Sequence, residues 1–199
     1  MKYLLLPLCC ILMLACNQQN DSATATANNA AIGFTDFEIS SYPNSPIQKA
    51  TKKAESGVEV EEGTVLNGQK NGAWITYHAK DGRVKTVTNY IDGKKDGLHV
   101  ELNDRGQVIL QCHYKNDIFH GTWAAYRFGT RKEKEVQYNM GQIDGFYREY
   151  HSSNGKLMKD IQYQNGKMHG YFKQYDDNEN LLMEYVYENG EKVSGGMVK

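Results

Sequence analysis

From residue 57 onward, apolar and polar positions alternate with a period near two, in short runs separated by Gly, Asn and Asp. The runs "AWITY", "LHVEL", "TWAAY", "FYREY" and "YFKQY" are each followed, across a polar loop, by "VKTVTNY", "VILQCHY", "KEKEVQY", "LMKDIQY" or "LMEYVY". Alternation enriched in aromatic and β-branched residues predicts strands rather than helices. No proline follows Pro46, as uninterrupted ladders require.

The alternation is itself repeated. Tyr90, Tyr114, Tyr138, Tyr163 and Tyr187 close successive units at intervals of 24, 24, 25 and 24 residues. Three residues beyond each tyrosine stands Gly93, Asp117, Gly141, Gly166 or Gly190, and seven beyond stands Gly97, Gly121, Gly145, Gly170 or Ser194. The extra residue of the 25-residue interval falls in a polar loop, "HSSNGK", where insertions are tolerated. Asn67-Gly68, Asp92-Gly93, Asn165-Gly166 and Asn189-Gly190 are dipeptides suited to two-residue hairpin turns. The second glycine of each unit predicts a bulge or a close backbone approach. One hairpin cannot bury its own apolar side, so copies must stack. The prediction is an all-β fold, a repeat array of about five antiparallel β-hairpins over 57–199 forming one elongated, twisted meander sheet.

Counting back from each closing tyrosine in steps of two places Val84, Val108, Leu157, Leu181, Leu110, Met183, Cys112, Val136, Ile161 and Tyr185 on one apolar face. In repeat three, Lys132 and Lys134 interrupt it. Two residues after each second glycine stand Trp74, His99, Trp123, Tyr147 and Phe172, whose neighbours at two-residue spacing are mostly polar. This column predicts rings standing on an otherwise hydrophilic face. It has two readings: rings packed over glycines of adjacent strands, or a recognition stripe for a protein or glycan partner.

"NGKMHGYFKQY", "NGQKNGAWITY" and "DGKKDGLHVEL" resemble MORN repeats (membrane occupation and recognition nexus), most closely the bacterial variant labelled as a toxin–antitoxin antitoxin component. The resemblance spans about residues 58–195. It implies an antiparallel meander acting as a scaffold or contact surface, and, as an alternative, an antitoxin or immunity-type protein that neutralises a toxin.

The N-terminus changes the setting. "MKYLLLPLCCILMLA" has one positive charge, Lys2, then an apolar run too short to span a bilayer but long enough for a signal peptide (1–15). "LMLAC" resembles the lipobox of bacterial lipoproteins, with Met13 and Leu14 where Leu and a small residue are usual. That resemblance implies a lipid thioether on Cys16 and cleavage before it; the alternative is a secretory signal without lipid. Residues 16–56 are then expected to be the lipidated cysteine and a flexible tether, polar at first and carrying toward its end Phe34, Phe37, Ile39 and Tyr42, enough to dock loosely on the domain, as a spacer or as a partner-binding segment. The expected location is the bacterial cell envelope, as an outer membrane lipoprotein facing the periplasm or the cell surface. Of the 4 cysteines, Cys9 and Cys10 would leave with the signal and Cys16 would carry lipid. Cys112 is left without a partner for a disulfide.

Lys2 is the one basic residue of the first fifteen, so cleavage leaves 22 basic side chains against 24 acidic ones, a net charge of −2. That balance argues against a nucleic-acid partner and against a polybasic grip on lipid, leaving acyl chains as the membrane contact. The 6 histidines show no pair at metal-ligand spacing, and no phosphate loop, nucleophile elbow or paired-carboxylate signature occurs. The expectation is a non-enzymatic protein without cofactor or metal, whose partner is a protein or envelope component, and whose unpaired sheet edges favour self-association.

Overall fold

In the computed structural model, residues 33–198 are described, and every regular element among them is a strand. The first three are β1 (Glu38–Ser41), β2 (Ile47–Lys53) and β3 (Glu59–Leu66). The chain then runs through β4 (Gln69–Tyr77), β5 (Val84–Ile91), β6 (Lys94–Leu102), β7 (Val108–Lys115), β8 (Ile118–Phe119) and β9 (Gly121–Arg127). It ends with β10 (Arg131–Asn139), β11 (Gln142–Tyr150), β12 (Leu157–Gln164), β13 (Lys167–Tyr175), β14 (Leu181–Glu188) and β15 (Glu191–Met197). All are antiparallel in one open sheet whose strand order follows the chain, with the short β8 pairing only with β7. Fourteen strands lie on the main path, so the sheet is on the order of 60 Å across.

The repeat spacing has a geometric cause. At each turn both central residues take positive φ: Asn67 and Gly68 at 51° and 74°, Asp92 and Gly93 at 47° and 78°, Asn165 and Gly166 at 51° and 78°. This is the twist-matched two-residue hairpin turn. Repeat three uses Asn116 and Asp117 instead, at 49° and 67°, and the Asp117 carboxylate accepts the Lys95 backbone N–H at 2.8 Å. The second glycine sits in a bulge. Thr88 faces His99 and Tyr90 faces Lys95, so β6 carries two extra residues there, around Gly97 at φ 101°.

The bulge also stitches consecutive repeats. The turn N–H of Gly93, Asp117, Gly141, Gly166 and Gly190 donates to the carbonyl of Lys70, Lys95, Phe119, Ile143 and Met168 in turn, each at 2.8–2.9 Å. The residue before the second glycine adds a longer contact. Asp96, His120, Asp144 and His169 accept the backbone N–H of Asn116, Met140, Asn165 and Asn189 at 3.4–3.5 Å. His120 and His169 are therefore turn residues whose rings bridge neighbouring repeats.

Three expectations need correction. The sheet begins at Glu38, so the later part of the expected 16–56 tether belongs to the folded domain; residues 16–32, Cys16 included, lie outside the described residues. Second, Val84, Val108, Leu157 and Leu181 pair with Tyr77, Leu102, Tyr150 and Tyr175 across register shifts. One extra residue in each shift turns them to the side opposite Cys112, since a single-residue slip reverses strand faces. Lys132 is turned the same way: it pairs with Tyr126 and its ammonium group lies 2.7 Å from Glu135. Third, the aromatic column and the row of Cys112, Val136, Ile161 and Tyr185 share one face.

Candidate contact face

Residues opposite one another on antiparallel strands project to the same side of a sheet. Following partners across the sheet gives one continuous row. It runs Ile39, Ala50, Gly63, Trp74, Thr88, His99 and Cys112 from β1 to β7. The β7–β9 register, with Leu110 opposite Ala125 and Gln111 opposite Ala124, puts Trp123 next in line. Val136, Tyr147, Ile161, Phe172, Tyr185 and Gly195 complete it. From Trp74 to Phe172, rings thus alternate with small or β-branched side chains, each ring spreading over the shorter neighbours beside it. Ala50, Val65 and Cys112 are 0% exposed and Val136 1% exposed, although they belong to a single sheet. Burial pushes the Cys112 thiol above its ordinary range, so it behaves as a small core side chain rather than a reactive one.

The five closing tyrosines add a second row on this ring face, opposite Lys95, Phe119, Ile143, Met168 and Lys192, and Val65 opposite Lys70 opens it. Phe119 stacks between Tyr114 at 4.8 Å and Tyr138 at 5.3 Å. Where lysines stand, their ammonium groups lie over rings: Lys70 over Trp74 at 4.0 Å, Lys95 over Tyr114 at 4.9 Å, Lys134 over Tyr147 at 4.4 Å and Lys192 over Tyr185 at 4.4 Å. Such contacts stabilise by about 0.5–1 kcal/mol each at exposed sites. Lys134 is thereby accommodated on the ring face.

The five column residues are not equivalent. Trp74 is buried: Phe34 stacks on it at 5.6 Å, Phe37 meets it edge-on at 5.8 Å, and its indole N–H donates to the Thr64 carbonyl at 2.9 Å. Its ring fills the volume that Gly63 leaves empty, where any Cβ would collide with the indole. His99 is also buried, with Thr88 Oγ1 at 2.7 Å from Nδ1 and Glu101 Oε1 at 3.1 Å from Nε2. Both ring nitrogens are satisfied, which is what a buried imidazole requires. Trp123, Tyr147 and Phe172 are half-buried. The Tyr147 hydroxyl donates to Glu149 at 2.6 Å, and its pKa is pushed up to about 12, by burial first and that bond second. The packing reading therefore describes Trp74 and His99, while three rings keep accessible surface.

The opposite face is more polar along the C-terminal half. Asp160, 8% exposed, accepts from Arg148 Nε at 3.1 Å and from the Tyr171 hydroxyl at 3.2 Å. Beside them is a broad open concavity of about 620 Å³ lined by Phe146, Arg148, Gln162, His169 and Tyr171. Arg148 lies over the Phe146 ring at 4.5 Å and is held by Asp160, so its polar groups are mutually occupied. Among the described residues, no three His, Cys, Asp or Glu side chains gather as metal ligands.

Residues 33–53 do more than dock loosely: they add β1 and β2 to the sheet and cover Trp74. The signal for this role was present in the spacing of Phe34 and Phe37 beside acidic residues, but nothing in the repeat period points to it. No family model matches the chain, and no curated protein matches it.

Proposed function

We propose that this chain is a non-catalytic envelope lipoprotein, anchored through Cys16, whose MORN-type repeat sheet is displayed as a contact surface for another protein. The observation that carries the reading is the uncovered run of the ring face. Trp123, Tyr147 and Phe172 hold the same place in their hairpins as the buried Trp74, yet keep accessible surface beside unburied lysines. Exposed aromatic side chains among polar ones are typical of interaction surfaces. A long open sheet whose rigidity comes from stitched hairpins suits a scaffold, because each repeat holds its rings at fixed spacing. The short apolar leader and the cysteine that follows it support the anchor.

The experiment has two arms. Cys16→Ser followed by cell fractionation moves the protein from the membrane to the soluble fraction if lipid holds it; unchanged membrane association sinks the anchor. Affinity capture from envelope extracts, with a Trp123→Ala/Tyr147→Ala/Phe172→Ala variant as control, recovers a protein that the variant loses. Equal recovery by both removes the ring face from the contact.

A further inference from the structure

A short segment of the chain itself packs on the ring face. Residues Phe34–Phe37, "FTDF", lie against the N-terminal end of the ring row. Both phenylalanines pack on Trp74. The carboxylate of Asp36 lies 3.2 Å from Lys52 of β2, two residues beyond the ring-row Ala50. Lys52 also stands over the Phe37 ring at 5.6 Å. An acidic, aromatic turn, closed by the Phe37 N–H donating to the Phe34 carbonyl at 3.0 Å, is thus held by a ring below and a cation alongside.

The same elements recur further along the face without that cover. Lys95 with Tyr114, Lys134 with Tyr147 and Lys192 with Tyr185 each present a ring and an ammonium group. Among the described residues none of these three lysines enters an ion pair. Glu149, opposite Lys134 on β11, is held by Lys159 at 2.8 Å and by the Tyr147 hydroxyl. The uncovered face is therefore apolar in its rings and cationic in its free charges.

We infer that the ring face from Tyr114 to Tyr185 docks an acidic–aromatic segment of a partner protein, with aromatic side chains against Trp123, Tyr147 and Phe172 and carboxylates toward Lys95, Lys134 and Lys192. This rests on the reading of the chain as a contact scaffold and names the chemistry of its partner. Phenylalanine rings supply burial that the half-buried row lacks, and carboxylates pair with lysines that hold no ion pair of their own. A basic or purely aliphatic segment would satisfy one requirement and oppose or ignore the other.

The test uses a peptide copy of residues 33–41, "GFTDFEISS", which contains no tryptophan. The chain has 2 tryptophans, so the full-length Trp74→Phe protein reports on Trp123 alone. Titration produces a saturable blue shift of Trp123 emission, half-complete below about 1 mM. A peptide with both phenylalanines replaced by alanine produces none, and a Lys95→Glu/Lys134→Glu protein binds the original peptide at least about tenfold more weakly. Should Trp74→Phe fail to fold, the indole N–H resonance of Trp123 in the unmodified full chain gives the same readout. Absence of a saturable shift overturns the inference, as does equal binding of the alanine peptide. A shift that appears on concentrating the protein alone, with dimers in sedimentation, assigns the face to a second copy and overturns it too. Cys16→Ser fractionation is independent of these outcomes, so failure of the docking site and failure of the anchor are read separately.

Discussion

Trp74 and Trp123 occupy the same place in their hairpins, two residues beyond a positive-φ glycine in one continuous row. Trp74 is 2% exposed and Trp123 is half-buried. The difference lies in what stands above and beside them. Trp74 has Phe34 and Phe37 over it and the vacant side-chain position of Gly63 next to it. Trp123 faces Val136 on the following strand, and among the described residues no aromatic ring stacks on it. The backbone assigns a ring to the face, and at Trp74 the segment before β1 completes its burial. A single sheet can therefore have a sealed end and an open remainder with no change of repeat.

The sharpest way to break this comparison is to truncate both tryptophans. Trp74→Ala is expected to cost about 3–5 kcal/mol, as large aromatic deletions do in cores, read from the shift in denaturant midpoint. A cost below about 1 kcal/mol would mean that the sealed end is not a core at all. Phe34→Ala should follow at about 2–3 kcal/mol, because it removes the stacked cover and leaves the indole in water. The same variant should red-shift Trp74 emission in a Trp123→Phe background.

Trp123→Ala, measured like Trp74→Ala, should cost only about 1–2 kcal/mol, in proportion to its smaller burial. Equal costs for the two tryptophans would erase the distinction between sealed and open regions. Lys134→Gln removes one ammonium group from over Tyr147 and should change stability by no more than about 0.5–1 kcal/mol. A larger loss would show that the open region depends on its lysines for folding rather than for contact.

The smallest effect at neutral pH is an alkaline one. Tyr77, Tyr114, Tyr147 and Tyr150 are each pushed up to about 12, in every case by burial first. An unfolded tyrosine ionises near pH 10, so between about pH 10 and 12 the unfolded chain holds fewer protons than the folded one. The stability these groups contribute is complete below about pH 10 and is lost as pH rises toward 12. Denaturant midpoints should be flat from pH 8 to 10 with respect to these groups and fall above that, together with tyrosinate absorbance. A bound partner on the ring face should delay ionisation of Tyr114 and Tyr147 and leave Tyr77 and Tyr150, on the other side, unchanged.

The hairpins were legible because turn chemistry and alternation are local. Asn-Gly and Asp-Gly pairs set the turns, and the glycine four residues later marked the bulge. The faces were harder to read. Counting by twos works until a strand carries an extra residue, and each hairpin has one bulge near its glycine and another near its polar loop. Val84 and Lys132 were consequently placed on the wrong side, and the aromatic column was separated from Cys112, Val136 and Ile161, which are its cross-strand partners. Nor does periodicity carry any sign of β1 and β2, whose sequence lies outside the repeat.

The all-β class, the hairpin unit, its turns and the order of strands are written locally in the chain, since each follows from φ preferences and contacts within about one repeat. Which side chains share a face emerges only in the folded sheet, because bulges accumulate register shifts that no local count detects. Which rings are core is likewise decided there. Burial on an open sheet depends on what crosses above it, and here the cover is a non-repeating segment, Phe34–Phe37, placed by packing on Trp74 and by the ion pair of Asp36 with Lys52.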